Sequence, residues 1–402
     1  MTQLPKQALL LLVHRIPFPP NKGDKIRSYH LLRHLAKDYQ VHLGCFIDDA
    51  NDAQYIETVR QWCGDTHFAS LNPMTAKIAS LTAFLGKRPL SLDYYRSAAM
   101  QDWVNVTVNQ HRIKKAVVFS SVMAQFIERM PDLTRVIDFV DIDSDKWRQY
   151  ADKKRFPMSW LYQREARCLL RYERRIAHEC DASLFVSEAE AGLFQQLAPE
   201  SMNKIGFFNN GVDTDYFSPG HTLDNPYQPQ ELVIVFTGAM DYWPNIDAVT
   251  WFAQSIFPAI LSRHPEAVFC IVGSRPAEQV RALAQLPGVQ VTGSVPDVRP
   301  YLAHARLAVA PLRIARGIQN KVLEAMAMAK TVVVSPQALE GIDAAIAKEL
   351  ILADDENAFA NAVCIALDKP DIALEKAARL RVIARYNWDA NLQKVDTALE
   401  SI

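Results

Sequence analysis

Cysteines are few and widely spaced in this chain of 402 residues, and none of the six stands in a C-x-x-C pair. The sequence therefore offers neither a zinc ribbon nor a thioredoxin-like redox motif. Long apolar runs are also lacking, since the longest early one, residues 8–13, is followed directly by His14 and Arg15. A run this short does not suit a signal sequence or a bilayer span, so we expect a cytoplasmic protein with reduced thiols.

Net charge is nearly absent as well, because 44 Lys and Arg residues face 45 Asp and Glu residues and leave a net charge of -1. This balance argues against the broad basic field with which proteins bind nucleic acid. A hydrophobic content of 49% with 22% charged residues is typical of soluble globular proteins. At roughly 100 to 200 residues per domain, the length predicts two domains.

Short apolar runs alternate with helical patterns along the whole chain. This alternation predicts an α/β protein whose parallel sheets are buried on both faces. Helical patterns are clear at 26–36 and 53–62, and the strand pattern restarts near residue 230. The predicted strands are 8–13, 41–47, 116–120, 135–140, 182–186, 232–237, 267–272, 289–292, 307–311 and 331–335.

Turn-forming residues are concentrated between the two runs of strands, from Asn209 to Pro229, where periodicity disappears. We therefore predict a first domain at 1–210, a linker at 211–230 and a second domain at 231–385.

The loop after the first strand, Pro17 to Lys25, contains three prolines and Gly23. In an open parallel sheet this loop faces the crevice where ligands bind, and a glycine lets a ligand approach the backbone. The candidate contacts are His14, Gly23, Asp24 and Lys25. A proline-rich turn with solvated lysines is the alternative, and the spacing does not match a dinucleotide fingerprint.

A second candidate loop follows the predicted strand 307–311 and leads into a helix. Free N–H groups at a helix start favour a phosphate, and Lys321 adds a positive charge in the first turn. Glu324, one turn later, could accept two hydrogen bonds from a ribose. An ordinary amphipathic helix with solvated Lys and Glu side chains is the alternative.

The acidic stretch from Asp138 to Trp147 contains the D-x-D pair Asp141 and Asp143 at the end of a predicted strand. Three interpretations remain open. The pair could orient or deprotonate an acceptor hydroxyl, Asp143 or Ser144 could cap a helix, or the carboxylates could hold a divalent metal.

Basic and aromatic residues are interleaved between Lys146 and Arg175, where ten Lys or Arg face three acids. This composition suits an anionic membrane surface. A solvated helix face is the alternative, and stacking on single-stranded nucleic acid fits less well with the neutral net charge.

Taken together, the element order, the segment from Asn209 to Pro219 and the helix from Lys321 to Ala327 resemble the retaining glycosyltransferases of family 4. These enzymes have the GT-B fold, in which two Rossmann-like parallel-sheet domains face a central cleft. The stretches 236–245 and 310–321 are most similar to sugar transferases associated with exopolysaccharide and PEP-CTERM exosortase systems. The resemblance also implies a C-terminal helix, within 386–402, that packs back on the first domain.

The resemblance implies specific roles for residues of this chain. Catalytic roles fall to Asp141, Asp143, Lys321 and Glu324, with the acceptor bound by the first domain. Donor-binding residues are Gly238, Gly293, Ser294, Val295, Arg313, Arg316, Gly317, Ile318, Lys321, Val322, Leu323 and Glu324. The sequence departs from the family where Arg316 replaces a usual Glu, and where Met240 to Trp243 replace a usual Arg and Lys.

The resulting expectation is an enzyme that moves a sugar, with retention, from a nucleoside diphosphate sugar to a glycan or polyprenyl-linked acceptor in exopolysaccharide biosynthesis. It would need neither a metal nor a cofactor. It would contact the inner face of the plasma membrane peripherally. The alternatives are a nucleotide-sugar epimerase and a non-catalytic nucleotide-sugar-binding regulator.

Overall fold

The computed structural model describes residues 6–20, 23–80, 88–152, 154–315 and 318–400 and divides the chain into two compact units. Unit 1 comprises Met1–Asn209 and Leu392–Ile402, and unit 2 comprises Asn210–Asn391. Each unit has its own parallel sheet flanked by helices, which confirms the predicted α/β fold class.

The sheet of unit 1 has seven strands in the order β3-β2-β1-β4-β5-β6-β7, and every pair is parallel. The strands are β1 Gln7–Val13, β2 Tyr39–Ile47, β3 Thr66–Ser70, β4 Lys115–Phe119, β5 Thr134–Val140, β6 Ala182–Phe185 and β7 Ile205–Phe207. The central strand β1 is a run of leucines with no solvent exposure from Leu9 to Leu12. Such continuous apolar sequence is what a strand covered on both faces requires.

Helices connect these strands. They are α1 Gly23–Asp38, α2 Ile56–Arg60, α3 Pro73–Ser80, α4 Leu90–Tyr94, α5 Ala98–Gln110, α6 Asp143–Asp152, α7 Met158–Glu179 and α8 Glu188–Leu197. Serine side chains fix two of the starts, because Ser97 accepts a hydrogen bond from the Met100 amide and Ser187 from the Glu190 amide. Both are standard N-caps that satisfy a helix donor.

The sheet of unit 2 has six parallel strands in the order β10-β9-β8-β11-β12-β13. The strands are β8 Leu232–Thr237, β9 Ala267–Val272, β10 Val289–Gly293, β11 Leu307–Ala310, β12 Thr331–Val334 and β13 Ile351–Leu352. The helices are α9 Trp243–Trp251, α10 Phe257–Arg263, α11 Glu278–Ala282, α12 Arg299–His304, α13 Asn320–Ala327, α14 Pro336–Leu339, α15 Glu356–Asp368, α16 Ile372–Arg385 and α17 Trp388–Glu400. Across the described ranges, no helix combines the length and the apolar character needed to cross a bilayer.

The ten predicted strands are all present, with ends displaced by at most two residues. Three further strands, β3, β7 and β13, were not predicted. All three are short, and β3 is partly exposed along its length. Their sequences therefore lack the continuous apolar run that identifies a buried strand.

The segment expected to be a linker, 211–230, is grouped with unit 2. The Val212 amide donates to the carbonyl oxygen of Tyr386 at 2.7 Å, and Arg379 Nη1 donates to the carbonyl oxygen of Phe217 at 3.0 Å. The helix α17 begins in unit 2, but most of it, from Leu392 onward, is grouped with unit 1. There Asp396 Oδ2 lies 2.7 Å from His34 Nε2.

A buried ion pair ties α1 to the centre of the unit 1 sheet. Arg27 Nε lies 2.7 Å from Asp138 Oδ2, and Nη2 lies 3.0 Å from Oδ1, with side-chain exposures of 0% and 2%. Arg27 also donates to the carbonyl oxygens of Phe185 and Phe208. These contacts meet the requirement that a charge without access to water be paired and hydrogen-bonded.

Replacing Asp138 with Asn should leave the Arg27 guanidinium buried without a counter-charge. We expect the opening free energy of amides in β4 and β5, measured by hydrogen exchange, to fall by about 3–5 kcal/mol. Glu57→Gln, which breaks the exposed Arg60–Glu57 pair, is the matched control and should leave these amides nearly unchanged. Equal protection in the Asp138 and Glu57 variants would contradict this role for the pair.

Candidate functional site

The strand order of unit 2 defines one position where a ligand site is expected. The chain moves outward from β8 to β9 and β10 on one side, and β11, β12 and β13 follow on the other side. The loops after β8 and β11 therefore leave neighbouring strands toward opposite faces of the sheet. In open α/β sheets, ligands bind in the crevice that forms at this switch point.

Three glycines lie at the carboxyl ends of β8, β9 and β10. The Gly238 amide donates to the carbonyl oxygen of Val272 at 3.0 Å, and the Gly273 amide to that of Gly293 at 3.3 Å. A Cβ atom on Gly273 would lie 1.6 Å from the Gly238 carbonyl oxygen, so position 273 accommodates glycine alone. Gly293 has a φ of 73°, a conformation that side chains disfavour. The backbone is thus closely packed at this edge.

Lys321 lies in the first turn of α13 and reaches the loop that follows β8. Its Nζ donates to Asn245 Oδ1 and lies 4.5 Å from the centroid of the Phe236 ring. Asn245 Nδ2 in turn donates to the Ala239 carbonyl oxygen at 2.9 Å. Lys321 Nζ would lie 3.4 Å from a Cβ on Gly238. The ammonium group therefore stands beside the glycine loop with a neutral amide as its hydrogen-bonded acceptor.

Glu324 follows one turn later on α13 and is half-buried, as is Lys321. Burial lowers the pKa of Lys321 to about 7, although the charge of Glu324 opposes this shift. Burial likewise raises the pKa of Glu324 to about 7, against the charge of Lys321. Each of the two groups therefore gains or loses its charge close to neutral pH. Perturbation of this kind is concentrated at functional sites.

The other predicted donor residues are distributed around this centre. Val322 and Leu323 are buried, and their amides already donate to the Gln319 carbonyl oxygen at 3.0 and 3.4 Å. A phosphate would have to compete with that carbonyl for both donors. Ile318 is buried, whereas Arg316 and Gly317 lie outside the described residues.

Arg313 is tied to a residue that the sequence did not single out. Its Nε lies 2.9 Å from Asp247 Oδ2, its Nη2 lies 2.5 Å from Oδ1, and the guanidinium lies 5.2 Å from the Trp251 ring. Arg313 is therefore positioned by α9. A guanidinium has five N–H donors, and the pairing with Asp247 leaves some of them available to a ligand. The sequence did not predict Asn245 and Asp247 as site residues, because their partners, Lys321 and Arg313, lie 76 and 66 residues away in sequence.

Gly293, Ser294 and Val295 form the exit from β10, two strands away from β8. Ser294 is exposed and Val295 packs partly against the core of unit 2. They lie at the same edge of the sheet as Gly238, where a base could extend from the switch point.

In unit 1, Asp141 and Asp143 flank a lysine. Lys146 Nζ lies 2.7 Å from Asp141 Oδ2 and 3.4 Å from Asp143 Oδ1. Although burial acts to lower it, the two carboxylates raise the pKa of Lys146 above its usual value. Val140, just before them, has a φ of 68°, which is strained for a β-branched residue. A cation thus already occupies the position between the two carboxylates.

Of the predicted contacts near β1, the structure brings together His14 and Asp24. His14 Nε2 lies 3.4 Å from Asp24 Oδ2, and Arg15 Nη1 lies 2.5 Å from the same oxygen. Although burial acts to raise it, hydrogen bonding to His14 and the charge of Arg15 hold the pKa of Asp24 well below its usual range. Gly23 begins α1 with no heavy atom within 4 Å of its Cβ position.

Lys25, which the sequence also predicts to contact a ligand, is engaged within the protein in this structure. Its side chain is 1% exposed, and Nζ lies 2.6 Å from Asp52 Oδ2. The position of Lys25 on α1 turns it away from Asp24 and into the protein, where it needs a counter-charge.

One group of potential metal ligands occurs within the described ranges, formed by His42, Asp65 and His111. It lies where β2 and β3 begin and α5 ends, far along the chain from each predicted site residue. The Asp65 amide donates to His42 Nδ1 at 3.1 Å, and Asp65 Oδ2 lies 2.6 Å from His111 Nε2. A metal bound to both Asp65 Oδ2 and His111 Nε2 would have to replace the hydrogen bond that joins them. The expectation of a metal-independent glycosyltransferase stays a prediction.

A match to a known protein family covers part of unit 2. Residues 231–369 match the family described as Glycosyl transferases group 1. A comparison with curated proteins gives no match.

Solved structures match over nearly the whole chain. Sucrose-phosphate synthase from Thermosynechococcus elongatus is 18% identical, with a TM-score of 0.71 and 98% of both chains covered. HepE of Anabaena in complex with UDP-glucose is 15% identical, with a TM-score of 0.66, 98% of this chain and 100% of that chain covered. WaaG, involved in lipopolysaccharide biosynthesis, is 14% identical, with a TM-score of 0.66 and the same coverage. At these identities the similarity establishes the fold, which is GT-B.

Proposed function

Because residues 231–369 match a glycosyltransferase family, we propose that the protein transfers a sugar from a nucleoside diphosphate sugar to a glycan or polyprenyl-linked acceptor. The observation that carries this proposal is the position of Lys321 at the switch point, beside Gly238 and bonded to the neutral amide of Asn245. A half-buried ammonium held by a neutral amide is available to an anion. HepE, of similar fold, is described in complexes with UDP and with UDP-glucose.

The reaction needs stabilisation of the departing diphosphate, on which negative charge develops as the sugar–oxygen bond breaks. Lys321 and the start of α13 are placed to supply it, in a site where charge is partly shielded from water. Glu324, three residues along the same helix, is the group we assign to the ribose hydroxyls, because its carboxylate can accept the hydrogen bonds that they donate.

The acceptor belongs to unit 1 in this proposal. Asp141 follows the strained Val140 at the end of β5, and Asp143 begins α6. We assign these carboxylates to orienting and deprotonating an acceptor hydroxyl, with Lys146 holding both of them in place. Because this ammonium already offsets part of the charge of the two carboxylates, a divalent metal on the same oxygens is disfavoured.

Retention of configuration, membership of family 4 and a role in exopolysaccharide synthesis form the narrower part of the proposal. They are supported by the resemblance of the segments 209–219, 236–245 and 310–321 to such transferases. WaaG provides a parallel, since it is described as a glycosyltransferase of lipopolysaccharide biosynthesis.

A peripheral, cytoplasmic association with anionic membrane completes the proposal. Apolar side chains are exposed from the end of α6 to the start of α7, namely Tyr150, Phe156, Met158 and Trp160, and Phe156, in the turn itself, is 80% exposed. The exposed Lys154 and Arg155 stand in the same turn. Exposed aromatic residues beside cations are suited to the headgroup region of a bilayer.

Lys321→Met should weaken UDP binding, measured by calorimetry, by about 10- to 100-fold at pH 6.5, because a charge-assisted hydrogen bond to phosphate is lost. The charged form of Lys321 predominates below its pKa of about 7. The ratio of the UDP affinity of the parent to that of the variant should therefore fall as the pH rises to about 9. Because the two proteins are compared at each pH, the ionisation of UDP itself affects both alike.

Lys348→Met is the matched control, since Lys348 is exposed in the same unit. It should bind UDP like the parent at every pH. Parent-like UDP binding by the Lys321 variant would remove the main support for the donor site.

Asp141→Asn and Asp143→Asn should reduce sugar transfer by about 10²- to 10⁴-fold while leaving UDP affinity unchanged, because a general base acts on the acceptor. We expect Asp141 to be the more sensitive, and EDTA to leave the parent's activity unaffected. Asp152→Asn, an exposed change on the same helix, is the control. Loss of donor binding on chelation would instead assign the pair to a metal, and conversion of donor without acceptor would indicate an epimerase.

Replacing Phe156 and Trp160 together with Ser should reduce sedimentation with anionic vesicles, and high salt should release the parent protein. Met202→Ser, also a half-exposed apolar side chain of unit 1, is the control. Sedimentation of the parent that is equal with neutral and anionic vesicles at low salt would refute the membrane proposal.

A further inference from the structure

A groove lined by arginines crosses the helical face of unit 1. It has a volume of about 720 Å³ and runs between α5 and α7, with Phe126 and Tyr172 among its lining residues. We call it the arginine groove, after Arg88, Arg96, Arg129, Arg171 and Arg175. It is lined by residues of α5 and α7, by residues in or next to α4, and by residues 125–130 of the connection between β4 and β5. Neither Asp141 nor Asp143 lines it.

Two of these arginines already have carboxylate partners. Arg175 Nη2 and Nη1 lie 3.1 and 3.3 Å from the two carboxylate oxygens of Glu128, and Nη1 lies 3.4 Å from Glu179. Arg88 Nη2 lies 3.1 Å from Asp93 Oδ1. Glu128 is the one acidic residue of the lining, and Arg175 engages both of its oxygens.

Three arginines remain without such compensation. Within the ranges that the structure describes, the side chains of Arg96 and Arg129 have no hydrogen bond or ion pair. Arg171 donates to neutral atoms alone, the Arg167 carbonyl oxygen and Cys168 Sγ, both at 3.3 Å. Like charges gathered in one concave surface repel one another, and an anion bound among them relieves this repulsion.

We propose that the arginine groove binds a ligand carrying at least two adjacent phosphate charges. The planar fork of a guanidinium matches phosphate oxygens in pairs, which makes arginine the side chain best suited to such ligands. The volume lies within the range of small-ligand sites. The aromatic lining residues, Phe126 and Tyr172, are both buried, so the groove offers no stacking surface for the bases of a single-stranded nucleic acid.

This site is separate from the donor site of unit 2 and does not depend on the proposed glycosyl transfer. The phosphates could belong to a soluble polyphosphorylated molecule or to the head group of a lipid. Both sources present the same chemistry to Arg96, Arg129 and Arg171.

The test is a calorimetric titration with inorganic pyrophosphate in the Lys321→Met background, in which we expect the site in unit 2 to bind more weakly. Arg129→Gln combined with Arg171→Gln should weaken pyrophosphate binding by at least about 10-fold, since two charge-assisted contacts are lost. The matched control combines Arg167→Gln with Arg174→Gln, which removes the same charge from α7 outside the groove. It should change the affinity by less than about 3-fold, because exposed charges are screened.

A second arm, sedimentation with vesicles containing phosphatidic acid, separates the two sources. A loss in the groove variant with pyrophosphate supports the site for soluble ligands, and a loss with vesicles alone assigns it to a lipid head group. The proposal is overturned if the groove variant and its control behave alike in both arms. Because the groove variant and its control share the same unit 2, any pyrophosphate bound there is common to both proteins. Failure here therefore leaves the proposed function intact, and failure of the Lys321 test leaves the comparison between the groove variant and its control valid.

Discussion

The buried pair of Arg27 and Asp138 is the constraint on which the backbone at the carboxyl end of β5 depends. A guanidinium with no access to water must have its charge and its donors satisfied together, and four acceptors from Asp138, Phe185 and Phe208 do so. Asp138 Oδ1 also accepts the Val140 amide at 3.1 Å, which helps to hold Val140 in its left-handed conformation. The backbone just before Asp141 is therefore fixed. Backbone strain such as that at Val140 is often found at functional sites.

Charge compensation separates structural cations from those we assign to ligands. Arg27 and Lys25 are buried and have carboxylate partners within hydrogen-bond distance, so an incoming anion has little to gain from either. Lys321 is bonded to the neutral amide of Asn245, and Arg171 donates to neutral atoms. Such groups retain most of their attraction for an anion, because a neutral acceptor does not cancel the charge.

The sequence was sufficient to predict the interior strands of both sheets. It did not predict β3, β7 and β13, which lie at sheet edges, or the residues that form ion pairs and hydrogen bonds with the site residues. Continuous apolar runs such as β9 identify strands buried on both faces, whereas the two residues of β13 carry no such pattern. Asp24 and Lys25 are neighbours in sequence, yet α1 directs one toward His14 and the other toward Asp52. Asn245 is identified as a candidate site residue only by the structure, which shows its contact with Lys321, 76 residues away in sequence.

In the proposed donor site, the electrostatic coupling of Lys321 and Glu324 would let one helix turn serve two parts of a nucleotide. Burial lowers the pKa of Lys321 and raises that of Glu324, and the charge of each group opposes the shift of the other. A diphosphate near Lys321 would favour the ammonium form, and that positive charge would in turn favour the ionised form of Glu324. An ionised carboxylate accepts hydrogen bonds from hydroxyl groups more strongly than a protonated one. Binding of the phosphates would thereby prepare the acceptor for the ribose, and the two contacts would reinforce each other.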